Sequence, residues 1–474
     1  MFRKSDQLDV FSHFMYEQMV PAKHKLRQFK AAVDLSMVDS LVYDSYSWNG
    51  KGAPGYDPTV LFQLLLLQRI YNLSLSQVLD RANTDAAFRW FIGINTSDEL
   101  PCKATLSNFA RLRMGNIKLR KIFRDVVVQA RAKGMIKGTR VVVDGTRVLA
   151  NTKLKAHGTV VVMTARRLLK RAGLWGSVQL PASTDLEERI AFARSVIEKL
   201  KNVELTPRQR RTADVLETML DGQGKPDKIA TPVDPEARVA YRNRQQKLGY
   251  NAIIAMDADS EIITALSFVP ANHDEGSYLK EVFESHVEST GIVPEQLLAD
   301  SAYCHGENYR DLHSKGVEAL IPKKSNGQRN SPFHKDKFIL TQDNRLICPE
   351  GRVATNPVKF DGEEGLKFTF DPADCGQCPK KDECTKAKAR AVEFNRYHKD
   401  VARARLLLTR NRNHVLTRMA IEHKNSELKC RHGLDRLEGI GLVAGEFQAL
   451  LSAIVTNIKR ITVLCRKQWI ACSG

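Results

Sequence analysis

Arg140-Val-Val-Val-Asp144-Gly-Thr146 is the segment that most restricts the fold. Three consecutive β-branched residues without polar alternation fit a strand covered on both faces, and such strands belong to mixed or parallel sheets flanked by helices. An aspartate ending that run is costly to bury unless it is paired or bound to a cation. An α/β sheet with an acid built into it follows.

Further strand signals lie in Gly249-Tyr-Asn-Ala-Ile-Ile-Ala-Met-Asp257 and Glu261-Ile-Ile-Thr-Ala-Leu-Ser-Phe-Val269, separated by Ala-Asp-Ser, which predicts an antiparallel hairpin. A helix is expected near Asp274 to Ser289. Gln296-Leu-Leu-Ala-Asp300 then reads as a short strand ending in a second acid, and Ala319-Leu-Ile-Pro322 as another strand. Residues 1–133 have a helical pattern: Pro58 starts a Leu-rich helix, and further helices are expected at Ser74–Ala82, Asp85–Ile92 and Thr105–Met114. Thr105 offers an N-cap hydroxyl there, and Arg111 and Arg113 make that helix a candidate for the DNA major groove, with an exposed basic helix as the plainer alternative. Between 155 and 228 the chain turns polar and helical, with Leu186–Leu200 amphipathic, and reads as an insertion.

A third acid stands in Arg418-Met-Ala-Ile-Glu422-His-Lys-Asn-Ser-Glu-Leu-Lys429. On a helix, steps of four and seven residues turn about 400° and 700°, so Arg418, Glu422 and Lys429 share one face. A carboxylate between two cations suits a metal ion bound to phosphate. Composition favours a polyanionic partner: 73 Lys plus Arg against 54 Asp plus Glu give a net charge of +19. Basic residues cluster towards Glu422, among them Arg403, Arg405, Arg410 and Arg412. Each acid also has an ordinary reading: Asp144-Gly as a turn, Asp300 as a cap, and Glu422 as an ion-pair partner of Arg418.

Cys348, Cys375, Cys378 and Cys384 fall within 37 of the residues, at spacings x26, x2 and x5. The Cys-x2-Cys pair fits a zinc knuckle that Cys348 and Cys384 would complete as a structural Zn²⁺ site. The irregular spacing leaves reduced thiols in a small loop-rich module as the alternative. Met1-Phe-Arg-Lys-Ser-Asp-Gln is followed by no apolar run of a secretory signal, and Leu61–Ile70 is too short to span a bilayer. A cytoplasmic protein with no membrane partner is expected.

Val143-Asp-Gly-Thr146, Leu298-Ala-Asp-Ser-Ala-Tyr303 and Arg418-x3-Glu422-x6-Lys429 resemble, in order, the three catalytic signatures of the DDE transposases of bacterial insertion sequences, in particular the insertion sequence 1182-like group. Lys247-Leu-Gly-Tyr-Asn251, Pro270-Ala-Asn-His-Asp274, Lys429-Cys-Arg-His-Gly433, Asn457-Ile-Lys-Arg460, Tyr56-Asp-Pro-Thr-Val-Leu61 and Phe88-Arg-Trp-Phe-Ile-Gly93 are also similar to family blocks. Related transposases place a Tyr where this chain has Val415, which puts in doubt any step that depends on that ring.

The resemblance implies a ribonuclease-H-like core, with a mixed five-stranded sheet and helices, a helical N-terminal domain and insertions. The expected division is a DNA-binding domain over 1–133, core over 134–154, a helical insertion over 155–230, core over 231–335, a cysteine-containing insertion over 336–395, and a C-terminal helical part with the catalytic Glu over 396–474. It further implies catalytic Asp144, Asp300 and Glu422 holding two Mg²⁺ or Mn²⁺ ions, DNA contacts from Arg418 and Lys429, and a homodimer assembled on transposon ends and target DNA. Glu275, Glu307 and Glu427 are other candidates for the third acid, but none has the Arg and Lys spacing that surrounds Glu422. A nuclease of the same fold without strand transfer, and a non-catalytic DNA-binding derivative, are the competing functions.

Overall fold

The computed structural model describes residues 8–46, 55–222, 229–242, 245–323, 332–360, 364–411 and 414–473. The N-terminal part is eight helices: α1 (Val10–Met19), α2 (Lys25–Ala32), α3 (Met37–Val42), α4 (Pro58–Ile70), α5 (Leu75–Thr84), α6 (Ala86–Ile92), α7 (Lys103–Asn108) and α8 (Gly115–Ala132). Local chemistry sets several of their ends. The Asp57 side chain accepts from the Thr59 N–H with Pro58 in the first turn, Ser74 and Gln77 form a capping box, and Asp85 caps α6, which Gly93 ends in the left-handed region at φ 72°. One expectation is corrected. Thr105 lies inside α7, which begins at Lys103 behind Cys102, and the helix passes into a wider π turn over Phe109–Met114. Burial of Leu106, Phe109 and Met114 sets that path rather than a hydroxyl cap.

The sheet comprises β1 (Arg140–Leu149), β2 (Arg238–Arg242), β3 (Gln245–Asp257), β4 (Ile263–Pro270), β5 (Gln296–Ala299) and β6 (Glu318–Leu320). It has six strands where five were expected. The long β3 pairs through its first residues with β2 and through the rest with β4, while β1 lies along its other edge. β3 is antiparallel to β1, β2 and β4, whereas β1, β5 and β6 run parallel to one another. Both faces are covered, as the valine run requires. Val142, Ile254 and Leu298 face a core shared with α4, α8 and the C-terminal helices, and Val141, Val143, Ile253 and Leu297 face the core under α12 (Leu279–Thr290) and α13 (Gly306–Ser314).

Between β1 and β2, α9 (His157–Arg171), α10 (Leu186–Leu200) and α11 (Pro207–Asp221) close a separate core around Val161, Leu168, Val196 and Leu216. After β6, the cysteine-bearing segment is more ordered than the loop-rich module expected. β7 (Ile339–Leu340), β8 (Leu346–Ile347) and β9 (Val353–Ala354) form one small antiparallel sheet. A second contains β10 (Val358–Phe360), β11 (Gly365–Thr369) and β12 (Ala391–Phe394), with α14 (Pro372–Gly376) and α15 (Lys381–Cys384) between its last two strands. Phe338, Leu346, Phe368 and Phe370 make its core.

Three helices complete the chain: α16 (His398–Arg410), α17 (His414–His432) and α18 (Gly441–Ser473). The stretch Gly441–Gln468 of α18 is long and apolar enough to cross a membrane, but 72% of its most apolar window is buried inside the protein. It packs on α2, α4, α8 and β4, as a core helix does.

Candidate active site

Asp144 lies within β1, which continues to Leu149, so the turn reading of Asp144-Gly145 fails. Its side chain is in phase with Val142, on the face that α17 covers. β1 and β5 are parallel, with Val143 opposite Ala299, so Asp144 and Asp300 follow one another off adjacent strands about 4.8 Å apart. Asp300 also acts as the cap considered above: its Oδ1 accepts the Ala302 N–H at 2.7 Å and starts the turn Ser301–Tyr303. The capping and cleft-facing roles coexist, since Asp300 still lines the cleft.

From above, α17 presents Arg418, Glu422, Asn425, Ser426 and Lys429 to the two aspartates across an open cleft of about 660 Å³, which Gly145, Thr146, Arg147, Asn251, Glu275 and Ala302 also line. The helical spacing inferred from the sequence thus delivers one face to the site. Asn425 Nδ2 donates to Asp144 Oδ2 at 2.9 Å and ties this helix directly to β1. The Glu422 side chain is 57% exposed, with Oε1 at 3.6 Å from Arg418 Nη2. Arg147 Nε donates to Asn251 Oδ1 at 3.2 Å, which fixes a guanidinium at the cleft wall.

Electrostatics single out Asp144. Burial, followed by the charges of Asp300 and Glu275, pushes its carboxyl up to about 7. Burial and the same neighbours, Glu275, Asp144 and Asp300, also hold the Tyr303 phenol well above its usual value. Three carboxylates therefore surround one buried ring.

Among the other expected residues, Arg111 is exposed on the N-terminal helices and does not line the cleft. Arg113 is engaged structurally: Nη1 donates to the Ser45 carbonyl at 2.7 Å, and its guanidinium lies 4.0 Å from the Tyr46 ring centre. Arg405 pairs with Asp336 at 2.8 Å. Arg412 and the Val415 side chain lie outside the described residues. Of the other acids weighed, Glu307 accepts from the Tyr397 hydroxyl, and neither it nor Glu427 lines the cleft. Burial alone would raise the Glu427 carboxyl, but hydrogen bonds from His432, Lys459 and Lys424 hold it well below its ordinary value. The Lys459 bond pins α17 to α18, whereas Lys424 and His432 lie on α17 itself. Glu275 is different, because it does line the cleft. Asn425 and Arg147 were missed, since nothing local marks a residue whose role is a contact between distant segments.

Cys348, Cys375, Cys378 and Cys384 line one small cavity of about 30 Å³. The Arg352 N–H donates to Cys348 Sγ at 3.3 Å. Burial raises the Cys384 thiol and Arg390 lowers it, while Cys375, Cys348 and Cys378 raise it further, as sulfurs gathered together would. Among the described residues no group of three or more His, Cys, Asp or Glu side chains is arranged as a ready metal site. The acids and the thiols line shared cavities rather than closing on a point.

Comparison with known proteins gives two family matches. Residues 14–112 match the model described as "Transposase domain (DUF772)", and residues 347–462 match that described as "Transposase DDE domain". The second span contains the cysteine cluster, Arg418, Glu422 and Lys429. Among solved structures, the cryo-EM structure of a piggyBac transposase synaptic complex with hairpin DNA aligns at 9% identity and a TM-score of 0.31, covering 96% of this chain and 76% of that one. No curated protein matches. One transposase model thus matches towards each end of the chain, and the second of them is of the DDE type.

Proposed function

We propose that the protein binds the terminal inverted repeats of an insertion sequence and carries out metal-dependent cleavage and strand transfer in the cleft between β1, β5 and α17. The observation that carries this reading is the convergence of Asp144, Asp300, Glu422, Arg418 and Lys429, drawn from three distant segments, on one open cleft. The strand order, with β1, β2 and β4 antiparallel to β3 and with β5 and β6 parallel to β1, supports a ribonuclease-H-like core. The spacing Arg418-x3-Glu422-x6-Lys429 supports the insertion sequence group named above.

The donor set fits divalent cations. Asp144, Asp300 and Glu422 offer only hard carboxylate oxygens, which suit Mg²⁺ or Mn²⁺, and a bound cation would offset the burial and the acidic neighbours that raise Asp144. Two such ions, when bound, supply an activated water and stabilise the attacking and leaving oxygens of the phosphodiester. The chain's own residues do the rest. Adjacent strands hold Asp144 and Asp300 side by side, and Asn425 orients Asp144. Arg418 and Lys429 flank Glu422 on α17, where their charges would meet the phosphates on either side of the scissile bond. Because two ends must meet, the working form is a homodimer on DNA.

The four cysteines are proposed to hold a structural Zn²⁺, supported by their shared cavity and by the backbone N–H directed at Cys348 Sγ.

Incubating the purified chain and Mg²⁺ with DNA carrying the element's ends tests the main reading. Cleavage and joining that disappear in both Glu422→Ala and Asp144→Asn are expected. Cleavage without joining would favour a nuclease, and end binding without cleavage a non-catalytic derivative.

A further inference from the structure

Sequence spacing chose Glu422 as the third acid and set Glu275 aside, yet the fold packs Glu275 against the glycine that follows Asp144. Glu275 opens the single helical turn Glu275–Tyr278 after β4. Its carboxylate occupies the space that a side chain at position 145 would fill: a methyl group on Gly145 would collide with both carboxylate oxygens. The residue after Asp144 is therefore a glycine where Glu275 approaches the strand. The Tyr303 hydroxyl, from the turn that Asp300 caps, lies 3.5 Å from Glu275 Oε2.

The two turns are locked together. Asn308, itself buried, donates through Nδ2 to both the Gly276 carbonyl at 2.8 Å and the Tyr303 carbonyl at 3.0 Å. Gly276 lies so near the Ala302 carbonyl that a β-carbon there would sit 2.6 Å from it. The His305 and Asp274 side chains meet at 3.1 Å beside this contact. The position of Glu275 is thus fixed relative to Asp300 by backbone clamps on both sides. A second observation points to an occupant. Asn425, only 8% exposed, lines the same cleft with its Nδ2 spent on Asp144, and its buried Oδ1 has no hydrogen-bond partner among the described residues.

We infer that Glu275 is a fourth metal-facing carboxylate of this cleft, acting beside Asp144 and Asp300, while Glu422 closes the centre from the more exposed face of α17. The inference rests on the metal-centre reading above. Four carboxylates carry four negative charges, which two divalent cations balance; the triad alone would leave one positive charge over. Glu422 leans towards Arg418 and solvent, whereas Glu275 is held against the strand that carries Asp144.

The test is a Mn²⁺ titration of the full, DNA-free chain by electron paramagnetic resonance and calorimetry, comparing the native protein with Glu275→Gln and Glu275→Asp. Circular dichroism melts establish that each variant is folded. Glu275→Gln keeps the size of the side chain and removes its charge, and should weaken Mn²⁺ binding by at least about tenfold. Native affinity in folded Glu275→Gln would overturn the assignment while leaving the triad reading intact. No Mn²⁺ binding by the native chain would overturn both. Should Glu275→Gln fail to fold, Glu275→Asp decides. Its shorter reach lowers affinity severalfold if Glu275 is a ligand and leaves affinity unchanged if it is not.

Discussion

At the scale of single residues, the cleft sets function against stability. In the absence of metal, Asp144 titrates near 7 in the folded protein against an ordinary value near 3.8, because of burial and its acidic neighbours. Between those values the folded chain holds a proton that the unfolded chain releases, so stability falls as pH rises through this window and the penalty is complete above about 7. Asp144→Asn has no such titration and keeps an acceptor for Asn425. In thermal melts with chelator at pH 8, we expect this variant to be more stable than the native chain by roughly 2 to 4 kcal/mol, with the difference vanishing below about pH 4. A native chain equal to or above the variant at pH 8 would remove this explanation. Legibility at this scale was uneven. Asp144 was readable because a valine run announces a buried strand, and Arg418, Glu422 and Lys429 because helical spacing is local. Arg113 was misleading because its partner Tyr46 is remote in sequence. Glu275 was undervalued because its significance depends on Gly145, across the sheet.

At the scale of elements, most helices could be read from caps and punctuation: Pro58 after Asp57, the Ser74 box and Asp85 each act where they stand. The amphipathic helix expected over Leu186–Leu200 has those bounds. Strand β2 was invisible. Arg238–Arg242 has no run of β-branched residues, and it is a strand only because the free edge of β3 offers it a register. The two small sheets around the cysteines were missed for a similar reason, since strands of two to five residues carry little periodicity. Those sheets have a core of few side chains, so a metal staple would matter greatly to them. Purified protein is therefore expected to contain about one Zn²⁺ per chain by elemental analysis. Cys375→Ser should abolish that content and increase proteolysis between 336 and 395, while α17 keeps its place. A native chain free of zinc whose module resists protease would refute the staple.

At the scale of the whole molecule, the N-terminal helices and the six-stranded sheet are not separate bodies. α18 lies against α2, α4 and α8 on one side and β4 on another, and Leu26, Leu64, Ile254 and Ile454 belong to one continuous core. The cleft depends on this closure: His432 bonds the Arg69 carbonyl at 2.9 Å, and Lys459 bonds Glu427 at 2.9 Å, so α17 is braced by the first and last parts of the chain together. A chain ending at residue 440 should expose the apolar surfaces of α4 and α8. Such a chain is expected to be largely insoluble or rapidly degraded in limited proteolysis, and a stable, monodisperse 1–440 fragment would contradict this view. The interlocking also bears on the life of the protein during synthesis. A ribosome that has delivered Asp144, Asp300 and every N-terminal helix has still not made the α18 brace for α17, so the proposed cleft would take shape only after Lys459 has emerged. Chains broken off before α18 would accordingly go to protein turnover rather than persist as folded fragments.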